Sequence, residues 1–259
     1  MNVKELLSLK NKIVLVTGGA GHYGQCLAEG LAEAGGTVIM ASRNLEALQI
    51  LADEFKGKNL DVHAFRLDQA DHASVKALTE YIQNEFGRLD VFVNNAVSRP
   101  MENYDAPLEQ FAESMRVNAT GMIDITREMA ALIAARGGGS IIQISSMFGM
   151  FGPDLSNYVG TTMSQSPPPD YFFHNAGLLG LTHYLARLYA NKKIRVNAIS
   201  PGGLYSGQPE VFLKNYNSKV PVGRMANRDD IKGLAVLLAS DASAYINGEN
   251  ILMDGGMHA

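Results

Sequence analysis

One turn constrains the fold of this chain more than any other feature. Ile13-Val14-Leu15-Val16 is an unbroken apolar run, and Thr17-Gly18-Gly19-Ala20-Gly21-His22-Tyr23-Gly24 follows it directly. Helical spacing of apolar residues begins near Gly24 and runs to about Ala34, where Gly35-Gly36 ends it. A short run that is apolar at every position suits a strand covered on both faces, as in parallel sheets. Parallel neighbours need a crossover, and a helix starting straight out of the strand supplies one.

The alternation continues along the chain. Strands are expected at 37–41, 62–67, 91–93 and 140–145, with helices over 44–55, 73–86 and 108–135 between them. Beyond Ser146 the pattern breaks, then resumes with a helix over 171–189, a strand at 194–199, a helix over 228–239 and a strand at 250–253. Strands alternating with helices predict an α/β fold, a Rossmann-type doubly wound parallel sheet covered on both faces. Ligands of such sheets bind beyond the C-terminal ends of the strands. No linker, repeat or low-complexity stretch divides the 259 residues, so a single domain spanning 1–259 is expected.

Composition narrows the partners. The net charge of −4 speaks against nucleic acid or an anionic membrane as a partner. Charges interrupt the Leu-Leu run of residues 1–12, unlike a signal peptide, and no apolar stretch approaches a membrane span. With Cys26 as the sole cysteine there is no internal disulfide. A cytoplasmic protein without a metal site is expected.

The first turn carries the cofactor signal. Gly18, Gly21 and Gly24 permit a tight turn, close approach of the backbone to a pyrophosphate, and close helix–strand packing. The helix N-terminus then offers free N–H groups to phosphate, with His22 and Tyr23 beside it. At the end of the second strand an acidic residue would select NAD by binding the ribose hydroxyls. The chain has Ala41-Ser42-Arg43-Asn44 there, and Arg43 can pair with a 2′-phosphate, which favours NADP(H) over NAD(H). The alternative is that Arg43 is a solvated residue ahead of a helix.

From these residues outward, the chain resembles the short-chain dehydrogenase/reductases over nearly its whole length. Asp68 matches the aspartate that members place beside the adenine, and Asn94-Asn95-Ala96 resembles the Asn-Asn-Ala-Gly motif, with Val97 for its glycine. Asn118, in Val117-Asn118-Ala119-Thr120-Gly121, resembles the catalytic asparagine that bends its helix and holds a water. Pro201-Gly202 looks like the turn that packs on the nicotinamide, and 239–256 resembles the C-terminal signature. Gly18, Gly21 and Gly24 use a spacing more familiar in extended members, with His22 at a position where the commoner pattern has glycine.

The resemblance implies a carbonyl or alcohol substrate, with a tyrosine exchanging the proton as hydride moves to or from the nicotinamide. Ser146, in Ile144-Ser145-Ser146-Met147-Phe148-Gly149, matches the serine that orients the substrate oxygen. Tyr171 matches the tyrosine of the Tyr-x-x-x-Lys helix, but Asn175 stands where that motif has lysine. Positions i and i+4 share a helix face, so Asn175 can bind the nicotinamide ribose yet supplies no charge. His174 is a candidate replacement cation if protonated, while Lys192 and Lys193 read as solvated. Tyr158 competes for the proton-exchanging role, but Pro167-Pro168-Pro169 stops a helix from continuing beyond it.

If Tyr171 is chosen, 153–170 becomes an insertion at the mouth of the site, and 204–220 resembles the family's variable lid. An insertion with Tyr158-Val159-Gly160-Thr161 is similar to members tied to bacterial surface sugars and flagellin modification, which suggests a sugar-like substrate. Members often form tetramers, so a homo-oligomer, dimer or tetramer, is expected. The missing lysine also leaves open a catalytically impaired dinucleotide-binding protein that acts as a sensor or subunit.

Overall fold

The computed structural model describes residues 2–163 and 167–259. A short helix, α1 (Val3–Leu7), precedes β1 (Ile13–Thr17), α2 (His22–Glu33), β2 (Thr37–Ser42), α3 (Leu45–Gly57), β3 (Val62–Arg66), α4 (His72–Phe86) and β4 (Val91–Asn94). Then come α5 (Leu108–Met115), a π-helical turn (Arg116–Gly121), α6 (Met122–Arg136), β5 (Gly139–Ile144), α7 (Pro169–Leu188) and β6 (Ile194–Pro201). The chain closes with α8 (Glu210–Asn217), α9 (Lys232–Ala239) and β7 (Asn250–Met253).

All seven strands lie in one sheet, in the order β3-β2-β1-β4-β5-β6-β7, and every pairing is parallel. The doubly wound α/β expectation is met. Alternate side chains of each strand feed two cores: Val14 and Val16 pack with Leu27, Leu31 and Leu238 on one face, while Leu15 and Phe92 pack with Leu78, Ile125 and Leu185 on the other. Each face buries its own apolar stripe, which explains why the strands read as continuous runs.

Two helical expectations change in detail. The helix expected over 108–135 is interrupted at Arg116–Gly121, where Gln69 Nε2 donates to the Val117 carbonyl at 3.2 Å and Arg116 Nη1 donates to the Ala70 carbonyl at 3.2 Å. A carbonyl so engaged from another element favours local widening of the helix. The helix expected over 228–239 begins as a 3-10 turn at Arg228–Ile231, capped by Asn227, before α9.

The stretch 153–163 holds a 3-10 turn at Leu155–Tyr158, and α8 lies in the expected lid region. Lys219 Nζ joins them, reaching Asp154 Oδ2 at 2.7 Å and Asn157 Oδ1 at 2.6 Å. That contact, with the Ser156 hydrogen bonds, holds the Asp154 carboxyl down at about 2. Residues 164–166, part of the expected 153–170 insertion, lie outside the described residues.

The first turn works by close contact. Gly18 adopts φ +65°, and a Cβ at Gly24 would come within 2.1 Å of the Gly18 carbonyl oxygen. A Gly24→Ala protein should therefore lose about 1–3 kcal/mol, the usual overpacking penalty. Urea unfolding reads this directly, and an unchanged midpoint would mean that the turn yields without cost.

Candidate active site

A cleft of about 680 Å³ opens where the strand order reverses between β1 and β4. That is the switch point at which doubly wound sheets bind ligands. Gly18, Gly21, His22 and Tyr23 line it from the first turn, Ser42 and Arg43 from beyond β2, and Asp68 from beyond β3. Asn95 and Ala96 face it from β4, Asn118 from the π-helical turn, Ser146 from β5, Tyr171 and Asn175 from α7, and Pro201 and Gly202 from β6. Gly24 alone of the expected residues does not line it. It is buried in the first turn of α2, against Gly18 and Gly19.

The dinucleotide end is built by hydrogen bonds between strand ends. Asn95 Nδ2 donates to the Thr17 and Gly18 carbonyls at 3.0 and 3.2 Å, and Thr17 Oγ1 accepts from the Asn95 and Ala96 N–H groups at 3.1 Å each. These bonds hold the glycine turn against β4. Arg43 is exposed and makes no ion pair among the described residues, while the Glu113 carboxylate is engaged by Arg116 at 2.7 Å. The Ser42 hydroxyl beside it is buried without a partner. Asp68 Oδ1 accepts from the Ala70 N–H at 3.0 Å. An exposed cation, an unsatisfied hydroxyl and a glycine cradle that side chains would fill suit the adenosine and phosphates of a dinucleotide.

At the chemical end, α7 carries Tyr171, His174 and Asn175 on consecutive turns, started by Pro169 in its first turn. Ser146 is buried and its Oγ accepts the Phe148 N–H at 3.2 Å, so its own O–H is free to donate into the cleft. His174 Nδ1 lies 2.8 Å from the Asp170 carbonyl, which makes Nδ1 the donor and leaves Nε2 to accept from Asn175 Nδ2 at 3.1 Å. Asn175 Nδ2 gives its other hydrogen to the Tyr171 carbonyl at 2.7 Å. Only Oδ1 of this buried amide is left without a partner among the described residues.

His174 and Asn118 are both held by neighbouring groups. Burial pulls the His174 pKa below that of a free imidazole, so the ring is neutral at neutral pH and supplies no replacement charge. Asn118 lies in the π-helical turn, and its side chain is engaged by neighbouring groups. It accepts the Ser98 N–H at 2.8 Å and donates to the Ser98 carbonyl at 2.7 Å and to Ser114 Oγ at 3.0 Å.

Tyr158 also lines the cleft, 5.4 Å from the Phe212 ring on α8. Burial pushes its phenol up, which disfavours the tyrosinate and makes it a poorer proton donor. Tyr23 has a buried hydroxyl without a partner, and burial, with Tyr171 next, raises it further still.

The residue that sequence reasoning missed is Arg99. Its Cζ lies 4.1 Å from the centre of the Tyr171 ring, inside the cleft lining. Its position just past Asn94-Asn95-Ala96, on a loop leaving the switch point, was the available signal. Lys192 and Lys193 are exposed at the far end of α7 and do not reach the cleft.

Fold and cleft together define a dinucleotide-binding α/β protein. The family model described as enoyl-(acyl carrier protein) reductase matches residues 22–258. Post-translational flagellin modification protein A of Campylobacter coli is 30% identical over 96% of this chain and 98% of its own length. The NADP-dependent mannitol dehydrogenase of Alternaria alternata is 33% identical over 98% and 95%. A short-chain type dehydrogenase/reductase from Mycobacterium marinum superposes with a TM-score of 0.88 at 30% identity, covering 100% of both chains. A Leptospira borgpetersenii short-chain dehydrogenase with bound NAD+ does so at 0.87 and 29%, covering 100% of this chain and 96% of its own. The chain belongs to the short-chain dehydrogenase/reductase family, whose members include NAD- and NADP-binding oxidoreductases.

The neutral His174 has a measurable consequence. The unfolded chain takes up a proton near the free-imidazole value of 6.5 that the folded ring refuses. Stability from this site is therefore complete above that value and is lost as pH falls below it. Denaturant unfolding from about pH 7 to about pH 5 should show the native protein losing stability relative to His174→Gln. Parallel pH curves would contradict a buried neutral ring.

Proposed function

We propose that this chain is an NADP(H)-dependent oxidoreductase that moves a hydride between the nicotinamide and a carbonyl or alcohol on a sugar-like small molecule. The observation that carries it is the shared cleft: Tyr171 and Ser146 border the same space as the glycine turn and Arg43. The nicotinamide, when bound, supplies or accepts the hydride. Gly18, Gly21, His22 and Tyr23 flank the pyrophosphate, Arg43 and Ser42 take the 2′-phosphate, Asp68 and Ala96 flank the adenosine, and Pro201-Gly202 backs the nicotinamide. Tyr171 gives the proton to the substrate oxygen in reduction and takes it in oxidation. Ser146 donates to that same oxygen and holds it in place. Asn118 fixes the π-helical turn and the Ser98 loop beside it. Asn175 stands in the family's lysine position and offers Oδ1 to the ribose hydroxyls.

Mannitol dehydrogenase and flagellin modification protein A among the relatives support a sugar-like substrate, and dehydrogenases among them favour turnover over a binding-only role. Lys219, at the end of the 204–220 lid, ties that lid to Asp154 and Asn157 beside the substrate end. The partner is a second copy of this chain: α7 leaves Phe173, Tyr184 and Leu188 exposed along its length. Among the described residues no helix is long and apolar enough to cross a membrane, and the expected location is the cytoplasm.

Two outcomes test this reading. NADPH should bind at least about tenfold tighter than NADH, and Arg43→Ala should remove that gap, since a charged hydrogen bond contributes roughly 1.5–3 kcal/mol. Fluorescence titration showing equal affinities in the native protein would overturn the NADP assignment. In an absorbance assay, Asn175→Lys should raise kcat by about ten- to a thousandfold, the range a restored cation gives. A lysine variant no faster than the native protein would show that Asn175 does not limit the reaction.

A further inference from the structure

We infer that Arg99 binds an anionic group on the substrate, so that the molecule presented to Tyr171 is a hydroxy or oxo acid, or a sugar phosphate, rather than a neutral polyol. The inference rests on the oxidoreductase reading above and adds the charge of its substrate.

Arg99 is a cation without a counter-ion. Its guanidinium makes no ion pair or hydrogen bond among the described residues, although it lines the cleft and lies 4.1 Å over the Tyr171 ring. No acid among the described residues pairs with it. Asp68 is the one acidic residue in the lining, and it sits beyond β3 at the adenosine end. Asp170 is fully buried next to Tyr171, and its carboxylate oxygens have no partner, Arg99 included.

The position of Arg99 is also fixed rather than trailing. Asn118 grips the preceding residue at both polar groups of its backbone, the Ser98 N–H at 2.8 Å and the Ser98 carbonyl at 2.7 Å. The aromatic face of Tyr171 then lies under the guanidinium carbon itself. A guanidinium seated on that ring with its N–H fork unspent suits bidentate pairing with carboxylate or phosphate.

No neighbouring cation among the described residues adds to this charge. His174 is neutral by burial, and Asn175 carries no charge. The cleft therefore has two cationic ends, Arg43 beyond β2 and Arg99 at Tyr171. The first suits a phosphate of the dinucleotide. The second lies where the substrate must bind, close enough to Tyr171 that the anion stands only a few bonds from the reacting carbon.

The test uses the full-length protein with NADP+, offering aldonates of three to six carbons, the polyols of matching length, and sugar phosphates. An anionic compound should exceed its matched polyol by at least about tenfold in kcat/KM. Arg99→Gln should raise KM for that compound about ten- to a hundredfold, the worth of a charged hydrogen bond, while Arg99→Lys keeps part of the preference. Whether the aldonates or the phosphates lead identifies the anion. A polyol equal to or better than its anionic partner, or a preference that survives Arg99→Gln, overturns the inference and leaves the oxidoreductase reading standing. If no compound is turned over, the fault lies with that reading, and calorimetry of the NADPH-loaded protein decides on Arg99. Aldonate or sugar phosphate binding that is lost in Arg99→Gln supports the anion site, and a native protein that binds neither overturns it.

Discussion

The chemical end of this protein depends on how closely the backbone of α7 approaches the end of β5. A Cβ at Gly149 would come within 2.9 Å of the Asn175 carbonyl carbon and oxygen, so the helix lies against the loop with no side chain between them. Ser145 Oγ donates to that same Asn175 carbonyl at 3.3 Å. Ser146 follows directly in sequence, and Tyr171 lies one turn back on the helix. The contact therefore fixes the serine and the tyrosine together across one cleft, whatever the length of chain that joins them. That independence lets a long segment sit between Ser146 and Tyr171 without displacing either.

The same contact accounts for the chemistry of the Asn175 site. The side chain there is almost wholly enclosed, and an unpaired cation in such a place would carry a large desolvation cost. An amide avoids that cost because its hydrogens are taken by the Tyr171 carbonyl and His174 Nε2. Charge has not left the site altogether; it enters from the loop after β4 as Arg99, on the ring face of Tyr171 and open to the cleft. A cation on an exposed loop keeps most of its hydration, whereas one buried in α7 would not.

Much of this was legible in the sequence. The strands announce themselves as apolar runs because both faces of the sheet are covered, and the glycine turn is local in sequence. The helical context of Tyr171 was legible too, and the structure has it on α7, with Tyr158 against Phe212. What was not legible depends on contacts between distant segments. The π-helical turn at Asn118 needs Gln69 to reach the Val117 carbonyl, and no local pattern encodes that bond. The neutrality of His174 comes from burial between elements rather than from its neighbours in sequence. Arg99 meets Tyr171 only because β4 ends and α7 begins at the same cleft.

The central claim is that the native chain moves a hydride with Tyr171 as the proton-exchanging group. Its most direct test is transfer of deuterium from C4-labelled NADPH into product, followed by mass spectrometry for the native protein beside Tyr171→Phe. The account predicts label in the product of the native protein, with transfer slowed about 10²- to 10⁴-fold in the variant, the usual contribution of a positioned acid. Label transfer at the native rate in Tyr171→Phe would contradict it and move the proton to another group in the cleft, Tyr158 first.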